Sequence, residues 1–153
     1  MASPAEQAGY FERSAAVRER SDLCVVQFTG DDARTWLNGQ VTNDVRELRP
    51  GDGGYGLVVS PKGKVVADVW ILDRGEQLAT ALPVSVRAAL LARFESQIFM
   101  EDVELAEASV ALLSVQGPRA RETVERAGVE SARVYGCDEL GRGGVLVSTT
   151  PEA

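Results

Sequence analysis

Residues Tyr55 to Leu72 constrain the fold more than any other stretch, because they read as a single β-hairpin. Tyr55 to Ser60 is one strand and Lys64 to Leu72 the other. Pro61-Lys62-Gly63 between them fits a three-residue turn with Gly63 in the left-handed position. In the second strand Val65, Ala67, Val69 and Ile71 form one apolar face, while Val66, Asp68 and Trp70 form the other. Pairing Ser60 with Lys64 sets Gly56 opposite Asp68. With the helices and strands that flank it, this ribbon gives the order β-α-β-β-β-α-β over residues 23–106, which reads as α+β with mostly antiparallel strands.

The flanking segments extend that class. Leu23 to Phe28 is an apolar, β-branched run and reads as a buried strand. Gly30 stops it, and Asp31 or Asp32 is expected to cap a short helix, Ala33 to Asn38, which Gly39 ends. Arg49 to Gly54 is a turn-rich loop. Gln77 to Leu82 is a further strand. Pro83 then suits the first turn of a helix, along which Val86, Leu90, Phe94 and Ile98 recur every four residues. Val103 to Ala106 and Val110 to Val115 read as strands, and Arg119 to Ala127 as a helix closed by Gly128. The tail from Ser131 to Ala153 is Gly-rich, with one short strand expected at Val145 to Val147. Residues 1–21 are polar and charged, and read as a mobile lead-in with a helix from about Tyr10 to Arg20.

One pattern occurs twice. A strand leads into Gly30 and then Ala33-Arg34, and another leads into Gly117 and then Ala120-Arg121, each followed by a helix. The repeat implies a duplicated β/α unit: a first subdomain over 22–108 and the start of a second over 109–153, left incomplete.

Composition narrows the function. Acids outnumber bases 23 to 16 in 153 residues, giving a net charge of -7. A nucleic-acid binder takes most of its affinity from Lys and Arg on phosphates, so nucleic acid is not the expected partner. The absence of histidine removes Ser-His-Asp and Cys-His chemistry and most zinc sites, and no metal is expected. No apolar run reaches the length of a signal-peptide core or a membrane span, which points to the cytoplasm and away from the membrane. Cys24 lies in an apolar run and reads as core, whereas Cys137 follows Gly136 in a turn-like stretch where exposure is open.

Asp68 is the residue with the most chemistry. An acid between Val66 and Trp70 is either solvent-facing or committed to a partner, since an unpaired buried carboxylate is costly. One reading is an exposed acid beside a glycine that bends the ribbon. The other is a carboxylate beside a bare Gly56, with room for a ligand to approach the sheet. Thr42-Asn43-Asp44 is by composition a turn. Lys62 and Lys64 are either a solvated hairpin end or an attraction for an anionic ligand tail.

Several motifs occur together in order. Gly30 to Val45, read as G-D-D-A-R-T-W-L-N-G-Q-V-T-N-D-V, resembles the pattern G-x-D-A-x-x-[FW]-L-x-G-x-x-T-N-D-V of the YgfZ/GcvT family. Leu48-Arg49-Pro50-Gly51 with Tyr55, then Pro61 to Asp68, Glu101-Asp102-Val103 and Gly117-Pro118-Arg119-Ala120 resemble that family's later signatures. The resemblance implies a GcvT-like fold of duplicated β/α subdomains that binds tetrahydrofolate or a one-carbon derivative of it. Asp68 matches the acid that, in the aminomethyltransferase branch, lies near the folate nitrogen accepting the one-carbon unit. Its role there would be to steer or deprotonate that nitrogen. Tyr55, Gly56 and Asn43 are the accompanying candidate folate contacts.

The start Pro61-Lys62-Gly63-Lys64, where aminomethyltransferases usually carry two glycines, favours the YgfZ-type branch. That implies a folate-binding protein of iron–sulfur cluster assembly or maintenance, with iron–sulfur enzymes as partners. The alternatives are an aminomethyltransferase of the glycine cleavage type and a half-domain that binds nothing. The branch-defining cysteine motif, the clamp on the pterin ring and the C-terminal barrel of the family would all lie beyond Ala153. The expectation is therefore a fragment, or a short form completed by a second chain. In the register given above, Tyr55 and Asp68 lie on opposite faces, and a bulge or strand end is needed to bring both to one ligand.

Overall fold

The computed structural model describes residues 2–129 and 132–150. In chain order the elements are α1 (Pro4–Arg13), β1 (Ala16–Glu19), β2 (Leu23–Thr29), α2 (Ala33–Asn38), β3 (Gly53–Val59), β4 (Val65–Asp73) and β5 (Leu78–Pro83). There follow α3 (Arg87–Ser96), β6 (Glu104–Ala108), β7 (Ala111–Gln116), α4 (Ala120–Ala127), β8 (Arg133–Gly136) and β9 (Gly144–Thr149). Two compact units result, one of residues 22–109 and one of residues 1–21 with 110–153. The class is α+β with antiparallel sheets, as the order of elements implied. Among the described residues no helix is long and apolar enough to cross a membrane.

The first unit is a five-stranded sheet in the order β3-β4-β5-β2-β6, every pairing antiparallel. One face carries the core. Val26 and Phe28 of β2, Val58 of β3, and Ala67, Val69 and Ile71 of β4 pack there against Trp36 and Leu37 of α2 and Leu90 and Phe94 of α3. Phe28, Trp36 and Phe94 meet with ring centroids 5.6 to 5.9 Å apart, a tilted and edge-on cluster of the kind aromatic quadrupoles favour. Helix α3 starts later than expected because Pro83 leads into a short 3-10 turn over Val84–Val86.

The second unit is a four-stranded sheet in the order β1-β7-β9-β8. It corrects the reading of the chain's start. Residues 1–21 do not form a helix from Tyr10 to Arg20; the helix is Pro4–Arg13, followed by a strand. Ser3 and Glu6 bond each other's backbone amides and Pro4 opens the first turn, which fixes the start. β1 then pairs antiparallel with β7, Arg18 facing Ser114. The tail holds two strands rather than one, β8 having been unforeseen; Ser131 and residues 151–153 lie outside the described residues.

The repeat is visible in detail. β2 and β7 each run into a glycine with positive φ, 109° at Gly30 and 130° at Gly117, before a helix. In both units the junction between a helix and the strand after it closes the turn. Asp32 N–H donates to Asp102 O at 3.1 Å and Arg119 N–H donates to Ser14 O at 3.0 Å. Helix α3 and β6 play in the first unit the part that α1 and β1 play in the second. The lead-in thus supplies to the second strand–glycine–helix, from before it in sequence, the piece that α3 and β6 supply to the first from after it.

Asp31 and Asp32 do not cap α2 through their carboxylates as expected. Asp32 Oδ2 instead accepts Asp102 N–H at 2.8 Å, while Asp102 Oδ2 accepts Asp31 N–H at 3.0 Å. The two acidic motifs, far apart in sequence, lock each other. The cysteines also differ from expectation. Cys137, open to exposure by sequence, is fully buried, and burial pushes its thiol up to about 12. Cys24 is half-buried and packs against the core, with its thiol also raised, chiefly by desolvation. Neither has the depressed pKa of a reactive thiol.

Candidate functional site

The site is built on the edge of the first unit's sheet. β3 is the edge strand, and the Thr42-Asn43-Asp44 segment covers its free side. Thr42 N–H donates to Leu57 O at 3.0 Å, Leu57 N–H donates to Thr42 Oγ1 at 2.9 Å, and Asn43 Nδ2 donates to Tyr55 O at 3.0 Å. These bonds satisfy an edge that would otherwise be open to another chain. Asp44 turns away from the edge and pairs with Arg46, Oδ1 and Oδ2 each 2.9 Å from the guanidinium. The hydrogen bond from Arg46 holds the Asp44 carboxyl below the usual carboxylate range.

The hairpin register is the decisive feature. At the turn, Ser60 N–H donates to Lys64 O at 2.8 Å and Val59 faces Val65, as read from the sequence. One step further, Val58 faces Ala67, so that Val66 forms a β-bulge. Beyond the bulge Leu57 faces Asp68, Gly56 faces Val69 and Tyr55 faces Trp70. The expected juxtaposition of Gly56 with Asp68 is therefore corrected. Gly56 is buried on the core side, where a Cβ would stand 3.2 Å from Asn43 Cβ and from Ile71 Cδ1. Its bareness admits Asn43, not a ligand beside Asp68.

The same bulge brings Tyr55, Leu57, Asp68 and Trp70 to one face. Tyr55 Oη lies 3.4 Å from Asp68 Oδ2, a weak hydrogen bond by length. The rings of Tyr55 and Trp70 meet edge-on, centroids 5.3 Å apart. Desolvation, then the negative charge of Asp68, then the bond to it, push the Tyr55 phenol above its ordinary value. Tyr55 is 51% exposed, Asp68 is exposed and Trp70 half-buried. The arrangement is an aromatic shelf with an accessible carboxylate at its rim. An N–H donor on a flat heterocycle can meet both at once. Asn43 lies on the other side of β3, bonded to its backbone, and so positions Tyr55 rather than lining this shelf. Lys62 and Lys64 stand exposed at the hairpin's end.

One polar pair escaped sequence reading. Asp73, at the end of β4, is fully buried, and Arg34 of α2 donates to its Oδ2 at 2.7 Å. The same guanidinium donates to Val45 O at 2.9 Å, and Asp73 Oδ1 accepts Gly75 N–H at 2.7 Å. The signal was the arginine inside Gly30-Asp31-Asp32-Ala33-Arg34, an unusual residue on a short helix that faces the core. Two hollows are also present: about 510 Å³ beside Val124 and Val134 of the second unit, and about 420 Å³ beside Trp36 and Gln97 of the first. Neither is lined by Tyr55 or Asp68.

Comparison with known proteins follows the same lines. A family profile described as the GCVT N-terminal domain matches residues 5–140. An aminomethyltransferase of Rubrobacter xylanophilus is 33% identical over 130 residues, covering 80% of this chain and 35% of that protein. One of Pseudomonas syringae pv. tomato is 29% identical over 133 residues, covering 86% of this chain and 37% of that protein. The chain thus spans little more than a third of the length of these relatives. The crystal structure of glycine cleavage system aminomethyltransferase T from Bartonella henselae superposes with a TM-score of 0.81 at 16% identity, over 95% of this chain and 44% of that one. That likeness is one of fold.

Proposed function

The chain belongs to the GCVT N-terminal domain family, and we propose that it supplies the carboxylate-bearing face of a tetrahydrofolate site in a protein of aminomethyltransferase type. The observation that carries the reading is the shared face of Tyr55, Trp70 and Asp68, created by the bulge between Val58 and Val59. The two relatives described above bear the aminomethyltransferase name. That favours this branch over the iron–sulfur role expected first from Pro61-Lys62-Gly63-Lys64.

The residues suit the ligand's chemistry. A reduced pteridine is flat and carries N–H donors, so it can lie against Tyr55 and Trp70 while Asp68 accepts from it. When bound, the folate supplies the nitrogen that takes up the one-carbon unit. Asp68 would orient that nitrogen and take its proton. The raised phenol of Tyr55 stays protonated at neutral pH. It can therefore keep donating to Asp68, and the bond is long enough to yield to a ligand N–H. Lys62 and Lys64 would attract the anionic tail.

Calorimetric titration tests the reading. The chain should bind tetrahydrofolate saturably. Asp68→Asn should weaken binding about tenfold or more, the worth of one charge-assisted hydrogen bond. Thermal stability should be unchanged within about 0.5 kcal/mol, because Asp68 is an exposed residue. Equal affinity in Asp68→Asn and wild type would remove Asp68 from the site.

A further inference from the structure

The bulge decides which residues stand beside Asp68. Had the register at the turn continued unbroken, Asp68 would face Gly56, with Tyr55 on the other face of the ribbon. The turn itself does not require the bulge: Ser60 N–H to Lys64 O and Gly63 N–H to Ser60 O, both 2.8 Å, close it on their own. Nor does the bulge contain a glycine that would relax there; Val58, Val59, Val65 and Val66 surround it. β-branched residues are stiff, so an outside contact is the natural means of holding the irregularity.

Arg93 makes that contact. Its Nη2 donates to Val59 O at 2.7 Å. The side chain is carried by α3, whose Leu90 and Phe94 are fully buried in the first unit's core, so its base is fixed against the sheet. Arg93 Nε is buried without a hydrogen-bond partner among the described residues. Leaving a buried donor unpaired is costly, so the guanidinium is not placed there to satisfy itself. The bond to the Val59 carbonyl is what its position secures.

We propose that Arg93 is a positioning residue: it holds the bulge at Val59 and thereby sets the register that puts Tyr55 and Asp68 on one face. The inference rests on the reading of that face as the folate-contacting one. It concerns the geometry of the site, and it is tested without ligand.

The test is nuclear magnetic resonance on the whole chain, comparing wild type, Arg93→Met and Arg93→Lys. Arg93→Met keeps the apolar stem and removes the donors. It should lose the cross-strand Overhauser contacts of Leu57 with Asp68 and gain those of Gly56 with Asp68. Arg93→Lys restores a donor and should keep the wild-type pattern. Persistence of the Leu57–Asp68 contacts in Arg93→Met would overturn the proposal.

Should Arg93→Met not fold, Arg93→Gln decides by amide exchange. Acceleration of about tenfold or more confined to Val59, Val66 and Ala67 supports it. Uniform acceleration across the sheet marks a merely structural arginine and overturns it. Tetrahydrofolate titration of the wild type judges the functional reading separately. A register change in Arg93→Met with no wild-type binding would leave Arg93 as the bulge's anchor and reject the folate face.

Discussion

Arg34→Met is expected to destabilise the protein by about 3 kcal/mol or more, because it leaves a buried carboxylate without its cation. Asp73 is fully buried, and its partner's side chain is about one-third exposed (34%). Methionine keeps the apolar stem and helix propensity of arginine, so neither packing nor the helix explains the loss. The remaining Gly75 N–H bond to Asp73 Oδ1 is a neutral donor and cannot replace a guanidinium. The effect should be partly repaired in the double variant Arg34→Met with Asp73→Asn, which removes the stranded charge. Chemical denaturation of the four proteins of this cycle checks it. A double variant no more stable than Arg34→Met would mean that the pair's charge is not what matters.

Gly30→Ala is expected to be at least as damaging, and for a different reason. The backbone at Gly30 has φ 109°, and a Cβ there would collide with Asp102 O. The Cβ is fixed by the backbone it stands on and the atoms it meets are backbone, so no side chain can swing aside. The chain must move, and with it go Asp32 N–H to Asp102 O, Asp102 N–H to Asp32 Oδ2 and Asp31 N–H to Asp102 Oδ2. Strain of about 1–3 kcal/mol and three hydrogen bonds at about 1 kcal/mol each bring the loss to about 4–6 kcal/mol. Gly128→Ala is the control. It also has positive φ, 62°, but nothing lies within 4 Å of its Cβ. Its cost should be about 1 kcal/mol, that of the backbone conformation alone. Equal losses in the two variants, measured by thermal unfolding, would refute the steric account.

Both predictions attach to residues inside the family's motifs, and this separates what those motifs do. Gly30, Asp31, Asp32 and Asp102 close a turn, and Arg34 neutralises a buried acid. Thr42 and Asn43 seal a sheet edge. The segment from Tyr55 to Trp70 carries the exposed aromatic and carboxylate face to which the proposed function attaches. A motif read as a unit would have spread the functional role over all of them.

Periodicity carried most of the first unit. The alternation of Ala67, Val69 and Ile71 marked the core face of β4, but Val65, read on the same face, is 61% exposed and Val66 packs against the core, because the bulge lies between them and Ala67; the positive φ of 75° at Gly63 matches the turn assigned to it. The bulge was not legible, because its four valines are ordinary strand residues and carry no conformational signature. What could be read was the conflict it resolves, with Tyr55 and Asp68 on opposite faces in the simplest register. β1 was illegible for another reason. Ala-Val-Arg-Glu has no strong strand pattern, and its four residues are exposed. It is a strand only because β7, nearly a hundred residues on, offers an edge. Asn43 is a candidate ligand contact by resemblance, and an asparagine in a turn gives no hint that two glycines, Gly54 and Gly56, make room for it on the neighbouring strand.

Chemical-shift mapping with tetrahydrofolate reads out the shared face of Tyr55, Asp68 and Trp70 most directly. In the labelled chain the largest saturable shifts should fall on the Asp68 carboxylate, the Tyr55 ring and the Trp70 indole. Gly54 and Gly56, across the same strand, should move little. Shifts that gather instead around Trp36 and Gln97, or that fail to saturate anywhere, would contradict the account.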